Sequence, residues 1–385
     1  MSNTLKSEPS KSEGQVSRPT ISQAMPILLP DMEEAALDAL RNDRFLRGEN
    51  VVKFEEEFAR FVGTRYAVAL SSGTAALDFI FSVLGVSDQK VVTSTWSFIA
   101  SANSIAHAGG RPVLADISET DYCLDPEQVE QDLEQGARGV LPVHIYGHPV
   151  DWDRFEELGQ RYRVPVVEDA CQAHGARYKG RPVGSLGIAA AFSFYPSKNM
   201  TVLGDGGMVT TNDETIAGQV AKIRDQGRSS EYEHDIMGYT ARMNTVNAAI
   251  GRAQLKHLRE WNDRRRVIAD SYFRSLTDLT PSIRLPPRPS KDVEPVYHQF
   301  VIRSEKRDQL RGYMRDKGVQ CNIHYPIPIH LQPLYMSTFG YAGKTFPRSE
   351  LMARECLSLP MHPFLTDDDV NYVSEQMTAF FRRGA

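Results

Sequence analysis

The sequence predicts an α/β fold: a mixed, mostly parallel sheet flanked by helices, followed by a smaller α+β C-terminal part. Three observations carry this. From residue 66 to residue 167 short apolar segments alternate with amphipathic stretches of helical period. The connections between them are short, the pattern of βαβ units and so of parallel neighbours. Gly187–Phe194 and Gly207–Thr211 both read as strands, so close in sequence that they depart from strict βαβ order.

In chain order, Met1 to about Gln23 is polar and rich in Ser, Lys and Glu, with no apolar signal-peptide core. It is expected to be a disordered lead-in to a cytoplasmic protein. Asp31–Arg41 is an expected helix, capped by Asp31, with Leu37 and Leu40 on one face. Val51–Val62 is another, because Phe54, Phe58 and Phe61 recur at helical spacing. Tyr66–Leu70 is a strand that turns at Ser71–Thr74 into a helix over Ala75–Leu84. Strands at Lys90–Thr93, Pro112–Ala115, Gly139–Val143 and Val164–Val167 then alternate with helices at Phe98–Ala108, Asp125–Leu133 and Trp152–Tyr162. A long helix is expected over Met243–Arg266, its basic end Arg264–Arg266 solvated. Pro281–Pro295 reads as a linker, with five prolines in fifteen residues. Val296–Ile302, Asp308–Lys317 and Asp367–Phe381 make up the smaller part. The expected division is a lead-in over 1–23, a large domain over 24–265 and a small domain over 266–385.

Composition narrows the function classes. The 385 residues carry 44 Lys+Arg against 49 Asp+Glu, a net charge of −5, which argues against nucleic acid as the main partner. No apolar run approaches the roughly 18 residues of a membrane helix. The four cysteines are widely spread, so neither a disulfide scaffold nor a metal clip is expected, and no metal is assigned.

Four segments carry chemistry when taken together. Ser71–Ala75 ends a strand and opens a helix, where backbone N–H groups favour an anion and Gly73 allows close approach. Val166–Gln172 sets Asp169 at the C-terminal end of a buried strand, the edge where ligands of open α/β sheets bind. Phe192–Asn199 leads through Pro196 to Lys198, a single lysine among apolar and hydroxyl side chains, a setting that makes an amine easier to deprotonate. Gly204–Gly207 follows as a tight loop in which Asp205 serves the turn. A phosphate cradle, an acid at a strand end and a lysine 29 residues further on are the parts a pyridoxal phosphate site needs. A nicotinamide site is disfavoured, because Ser71–Ala76 lacks the G-x-G-x-x-G pattern.

The motifs SSGTAAL (71–77), SFIASAN (97–103), VEDACQAHGA (167–176), FSFYPSKN (192–199) and GDGGMVTTN (204–212), in this order, resemble those of the DegT-type sugar aminotransferases. The resemblance runs from about residue 25 to 380 and includes HYPIPIHLQPLY (324–335) and LPMHPFLTDDD (359–369). It implies a fold-type I pyridoxal phosphate enzyme, a homodimer with shared active sites, aminating keto groups on nucleotide-linked sugars from L-glutamate. Lys198 would be the Schiff-base lysine and proton shuttle, alternating with a pyridoxamine phosphate form of the cofactor. Asp169 would face the pyridinium nitrogen, Gln172 the ring hydroxyl and Phe98 the ring face, with Trp96 only packing. Gly73, Thr74 and Ser193 would bind the phosphate. His324 and Tyr325, of the HYP motif, would lie near the substrate. Lys rather than His at position 198 favours transamination over removal of a sugar hydroxyl.

One departure stands out. The family pattern G-x-N-x-R-[LM] places an Asn where this chain has Thr240 in Gly238–Met243, and that Asn would reach the partner subunit's phosphate. Arg242 is kept and would pair with the amino donor's carboxylate, with Asn244 as an alternative polar contact. The departure leaves open a cyclitol or keto sugar phosphate as acceptor. A regulatory protein that keeps the fold without turnover is the remaining alternative.

Overall fold

The structure, a computed structural model, describes residues 19–382. Two helices, α1 (Pro30–Asn42) and α2 (Glu49–Val62), precede strand β1 (Tyr66–Leu70) and helix α3 (Gly73–Leu84). Alternation follows: β2 (Lys90–Ser94), α4 (Ala100–His107), β3 (Arg111–Ala115), α5 (Pro126–Glu134), β4 (Val140–Leu141), α6 (Trp152–Tyr162) and β5 (Val167–Asp169). A short hairpin, β6 (Arg177–Tyr178) and β7 (Arg181–Pro182), leads to β8 (Ala189–Ser193), β9 (Gly207–Thr211), α7 (Glu214–Ile223) and α8 (Thr245–Leu276). The C-terminal part comprises β10 (Val293–Glu294), β11 (Phe300–Arg303), α9 (Arg307–Asp316), α10 (Pro333–Thr338), α11 (Pro347–Glu355), β12 (Cys356–Leu359) and α12 (Asp367–Arg382).

Strands β3-β2-β4 and β5-β8-β9-β1 form two hydrogen-bonded groups. Single parallel bridges at Val140–Val166 and Val143–Asp169 join β4 to β5, so the strands run as one sheet. The expected departure from βαβ order is β9, antiparallel to both β1 and β8. The register decides the site. Leu70 and Ser193 both pair with Gly207, and Asp169 pairs with Ala191. The C-terminal ends of β1, β5 and β8 therefore open on one sheet edge, where α/β folds bind ligands.

The sheet is covered by packed aromatics. Phe54 and Phe58 of α2 meet Phe192 and Phe194 at centroid distances of 5.0–5.5 Å for Phe58–Phe192, Phe54–Phe194 and Phe58–Phe194. All four are fully buried. Beneath the edge, the buried Glu168 carboxylate accepts N–H bonds from Gly184, Leu186 and Gly187 at 2.7–2.8 Å, with His144 Nε2 at 3.2 Å. Four partners compensate the desolvation of that charge and pin the loop before β8. A second cluster joins Ile268–Leu276 of α8 to Phe300, Ile302, Leu310, Leu357 and Met377.

Several expectations change. Residues 1–18 of the expected lead-in lie outside the described residues, but Ile21 is buried and bridges Val319, so the fold begins before Gln23. The Pro281–Pro295 segment is not a free linker. Ile283 is fully buried, Arg284 exchanges two 2.8 Å backbone bonds with Arg303, and Val293 pairs with Tyr178. The Arg264–Arg266 run is not a helix end, because α8 continues unbroken to Leu276 across the expected boundary at 265/266. Arg265 is buried and donates to Tyr297 O and Met361 O at 3.1 and 2.9 Å. Helix α1 starts at Pro30 rather than being capped by Asp31, whose carboxylate instead meets His257 at 2.8 Å. Leu37 and Leu40 face outward, and Met32 and Ala39 supply the buried face of α1. No helix among the described residues is long and apolar enough to cross a membrane.

Phe58 touches three of the packed rings, so Phe58→Ala leaves a cavity beneath the site. We expect a loss of about 3–5 kcal/mol in urea unfolding, whereas an outward-facing control, Leu40→Ala, changes stability by less than about 0.5 kcal/mol.

Candidate active site

The three strand ends border a cleft of about 460 Å³. At its floor, Ser72 caps α3 with its Oγ accepting from Ala75 N–H at 3.1 Å. The following amides, of Gly73 and Thr74, lie in the first helical turn, where no intrahelical acceptor exists. A Cβ at Gly73 would lie 2.7 Å from Ser193 Cβ and 2.9 Å from Cys171 Sγ. A Cβ at Gly207 would lie 2.2 Å from Ser72 O. The glycines thus let the helix N-terminus sit directly against the ends of β5 and β8. Gly73, Thr74 and Ser193, expected in a phosphate cradle, come together, and Asp205 and Gly206 join them on the wall.

Asp169 is buried, its two oxygens held separately. Oδ2 accepts from Ser101 Oγ at 2.6 Å, and Oδ1 accepts from Cys171 N–H at 3.2 Å. Ser97 Oγ lies 2.7 Å from Ser101 Oγ and extends this chain. Gln172 is fixed in one orientation, because Tyr146 N–H donates to its Oε1 at 2.8 Å and its Nε2 donates to Tyr325 Oη at 3.2 Å. Phe98 is 57% exposed and stands at the cleft with Tyr325, ring centroids 6.3 Å apart. Trp96 is buried packing whose Nε1 donates to Tyr146 Oη at 2.7 Å.

Lys198 lines the same cleft. Its Nζ has no hydrogen bond or ion pair among the described residues. Burial pushes the amine below its ordinary value, opposed by the Cys171 and Asp169 side chains. His324 Nδ1 meets Ser358 Oγ at 2.8 Å, and burial together with the Lys198 charge pushes its pKa down to about 4. A neutral His324 at physiological pH leaves the cleft's positive charge to Lys198.

Two expected residues are not brought here. Arg242 lies in a separate hollow with Arg47, Val52 and Arg224, paired with Asp225. Asn244 caps α8, its Oδ1 accepting from Asn247 N–H at 2.9 Å. Thr240 Oγ1 accepts from Gln226 Nε2. Among the cleft residues that went unread in the sequence are Ser97, Ser101, Tyr195 and His298. The two serines flank Phe98 in SFIASAN at a spacing of four, a signal that was available. His298 comes from a distant segment and had none. Outside the cleft, Asp121, Cys123 and His148 gather within 4.8 Å, unforeseen from the spread of cysteines. They are already satisfied internally: Asp121 Oδ1 accepts from Cys123 N–H, Cys123 Sγ donates to His148 O, and His148 Nδ1 donates to Pro149 O.

His174, fully buried, is pushed down to about 3 by burial and the Lys198 charge. With His324 at about 4, the native chain refuses protons that an unfolded chain takes up near pH 6.5. Stability is therefore full above that value and is lost as pH falls toward 4. The urea midpoint is expected to be lower at pH 5 than at pH 7.5; equal midpoints would contradict the neutral burial of these rings.

Known proteins are similar to this chain in sequence and in fold. The description "DegT/DnrJ/EryC1/StrS aminotransferase family" matches residues 28–378. The dTDP-3-amino-3,4,6-trideoxy-alpha-D-glucose transaminase of Streptomyces venezuelae is 40% identical over 339 residues, covering 88% of this chain and 89% of that one. A "pleiotropic regulatory protein" of Geobacillus stearothermophilus is 36% identical over 359 residues, 93% of this chain and 96% of that one. The crystal structure of S. venezuelae DesV in complex with a ketimine intermediate superposes with a TM-score of 0.87 at 38% identity, covering 91% and 94% of the two chains. The chain belongs to the DegT/DnrJ/EryC1/StrS aminotransferase family.

Proposed function

We propose that this aminotransferase uses pyridoxal phosphate to move an amino group from L-glutamate to a nucleotide-linked 3- or 4-keto hexose. The observation that carries the reading is the meeting, in one cleft, of an unpaired buried-side amine, Lys198, a doubly held carboxylate, Asp169, and a helix N-terminus with no room for side chains at Gly73. The S. venezuelae relative is named for amination of a dTDP-linked sugar.

The residues fit the cofactor. The amides of Gly73 and Thr74 and the hydroxyl of Ser193 would hold its phosphate, where the helix dipole adds favourable potential. Asp169 would face the ring nitrogen and keep it protonated, with Ser101 and Cys171 fixing the carboxylate so that it does not reorganise. Gln172 would meet the ring hydroxyl and Phe98 the ring face. When bound, the cofactor acts as an electron sink for the carbanion formed at the amino-bearing carbon. Lys198 Nζ would hold the cofactor and, when released from it, would accept and return a proton at the substrate carbon. A lowered amine pKa suits that role, because the unprotonated form accepts the proton. His324 and Tyr325 line the same cleft and would meet the sugar.

Arg242 and Asn244 fit a second copy of this chain. Leu46 bridges Asn244, and Phe45, Leu46, Val52, Met237 and Tyr239, all at least half exposed, crowd the same region. Docking this face on a partner would cover the apolar side chains and could carry Arg242 to the partner's cleft. The proposal therefore includes a homodimer with shared sites, a cytoplasmic setting, and two lobes, 24–265 and 266–385, with α8 as their common spine. The regulatory reading is kept by the G. stearothermophilus relative; it predicts cofactor capture without turnover.

The purified protein loaded with pyridoxal phosphate should absorb in the visible, lose that band on adding L-glutamate and recover it on adding a dTDP-linked keto hexose. Lys198→Ala should lower turnover by more than about 10⁴-fold. A band unchanged by glutamate would favour the regulatory reading. In a shared-site dimer, equal mixing of Lys198→Ala and Arg242→Ala chains restores about one quarter of wild-type activity, since half the dimers are mixed and each has one intact site. No recovery after subunit exchange would place Arg242 outside the partner's cleft.

A further inference from the structure

Gln299, the residue before β11, borders the cleft and is only 5% exposed. Its backbone is fixed. Its N–H donates to Tyr146 O at 3.3 Å, and the next residue, Phe300, is buried against Tyr272 and Phe273 with ring centroids 5.1 Å apart. Its side chain is held from behind. Gln23 Nε2 donates to Gln299 Oε1 at 2.5 Å, and Asn322 Nδ2 donates to Gln23 Oε1 at 3.4 Å. Gln23 is buried, does not itself line the cleft, and is tied down through its carbonyl, which accepts from Met361 N–H at 3.0 Å.

An amide oxygen only accepts and an amide nitrogen only donates. With Oε1 taken by Gln23, Nε2 is the end of Gln299 left over. It has no partner among the described residues, and it is not sealed from solvent. The open space that this residue borders is the cleft. Gln172 gives the contrast: its Oε1 accepts from Tyr146 N–H and its Nε2 donates to Tyr325 Oη, so both its ends are used inside the protein. Buried polar groups are almost always paired, and a buried donor left free is costly until something accepts from it. Lys198 is the only lysine or arginine among the described residues lining the cleft. A neutral donor with no guanidinium beside it suits an uncharged oxygen better than the amino donor's carboxylate, and the uncharged oxygens of a hexose are its hydroxyls.

We propose that Gln299 Nε2 donates a hydrogen bond to a hydroxyl oxygen of the keto hexose, so that Gln299 distinguishes sugars by that hydroxyl and Gln23 is the positioning residue that keeps the donor turned to the cleft. A sugar lacking that oxygen leaves the N–H unpaired in a desolvated wall, and the enzyme rejects it for that reason. Without the Gln23 N–H, the Gln299 amide is free to present either end. The proposal rests on the reading of the cleft as a nucleotide-sugar site.

The test is calorimetric titration of the full chain, loaded with pyridoxal phosphate, with dTDP-, UDP- and GDP-glucose, none of which has a keto group to aminate. The tightest of the three is then compared with its monodeoxy analogues. In wild type one analogue should bind about 10-fold or more weaker than its parent. In Gln299→Met the parent should weaken, and that analogue should bind within about twofold of it. Gln23→Met, altered outside the cleft, should shrink the discrimination to about threefold. Discrimination that survives in Gln299→Met, or its absence in wild type, overturns the contact and leaves the reading of the cleft standing. If Gln299→Met fails to fold, undiminished discrimination in Gln23→Met overturns the proposal. Wild-type chain that binds none of the three nucleotide sugars overturns both the proposal and the nucleotide-sugar reading. Gln299-dependent discrimination in a chain that never reacts with glutamate sinks the transaminase reading and leaves the contact standing.

Discussion

The cleft exists because one strand residue serves two neighbours. Gly207 pairs with Leu70 on one side and Ser193 on the other, which brings the ends of β1 and β8 level. The same residue has no side chain to keep Ser72 away, so the N-terminus of α3 drops onto the sheet edge. A single added methyl would meet backbone on that side. Everything the cleft offers to an anion follows from this close approach.

The electrostatics of the site follow from burial rather than from accumulated charge. His174, His298 and His324 surround Lys198, and all are held neutral by desolvation and by the lysine itself. Asp169 lies under the lysine's side of the cleft with both oxygens fixed by hydrogen bonds. The result is one lysine and a fixed carboxylate, Asp169, set among neutral side chains, with Asp205 on the cleft wall. Such an arrangement needs little rearrangement as charge develops. The buried Glu168, one residue before Asp169, is held differently, by three amides and His144, and fixes the loop before β8.

The central sheet was readable because its signals are local. Apolar runs mark strands, and Ser72, Gly73 and Asp169 sit at strand ends that any alternating pattern exposes. Reading failed where tertiary context overrides local chemistry. Arg265 looks like a solvated residue, yet backbone carbonyls from two distant segments take it into the interior. The prolines near residue 285 look like a tether, yet Ile283 anchors them in the second core. Leu37 and Leu40 share an apolar face in the sequence, yet both are exposed among the described residues, and Met32 and Ala39 do the burying. Arg242 fits the same account: its pattern is plain in the sequence, but the side chain lies away from its own cleft.

The central claim is that one amine, in this cleft, attaches the cofactor. Incubating the full chain with pyridoxal phosphate, reducing with borohydride and mapping the adduct by peptide mass spectrometry tests it most directly. The account predicts a reduced adduct on Lys198 and on no other of the chain's lysines. An adduct confined to a different lysine, or none after reduction, would contradict it.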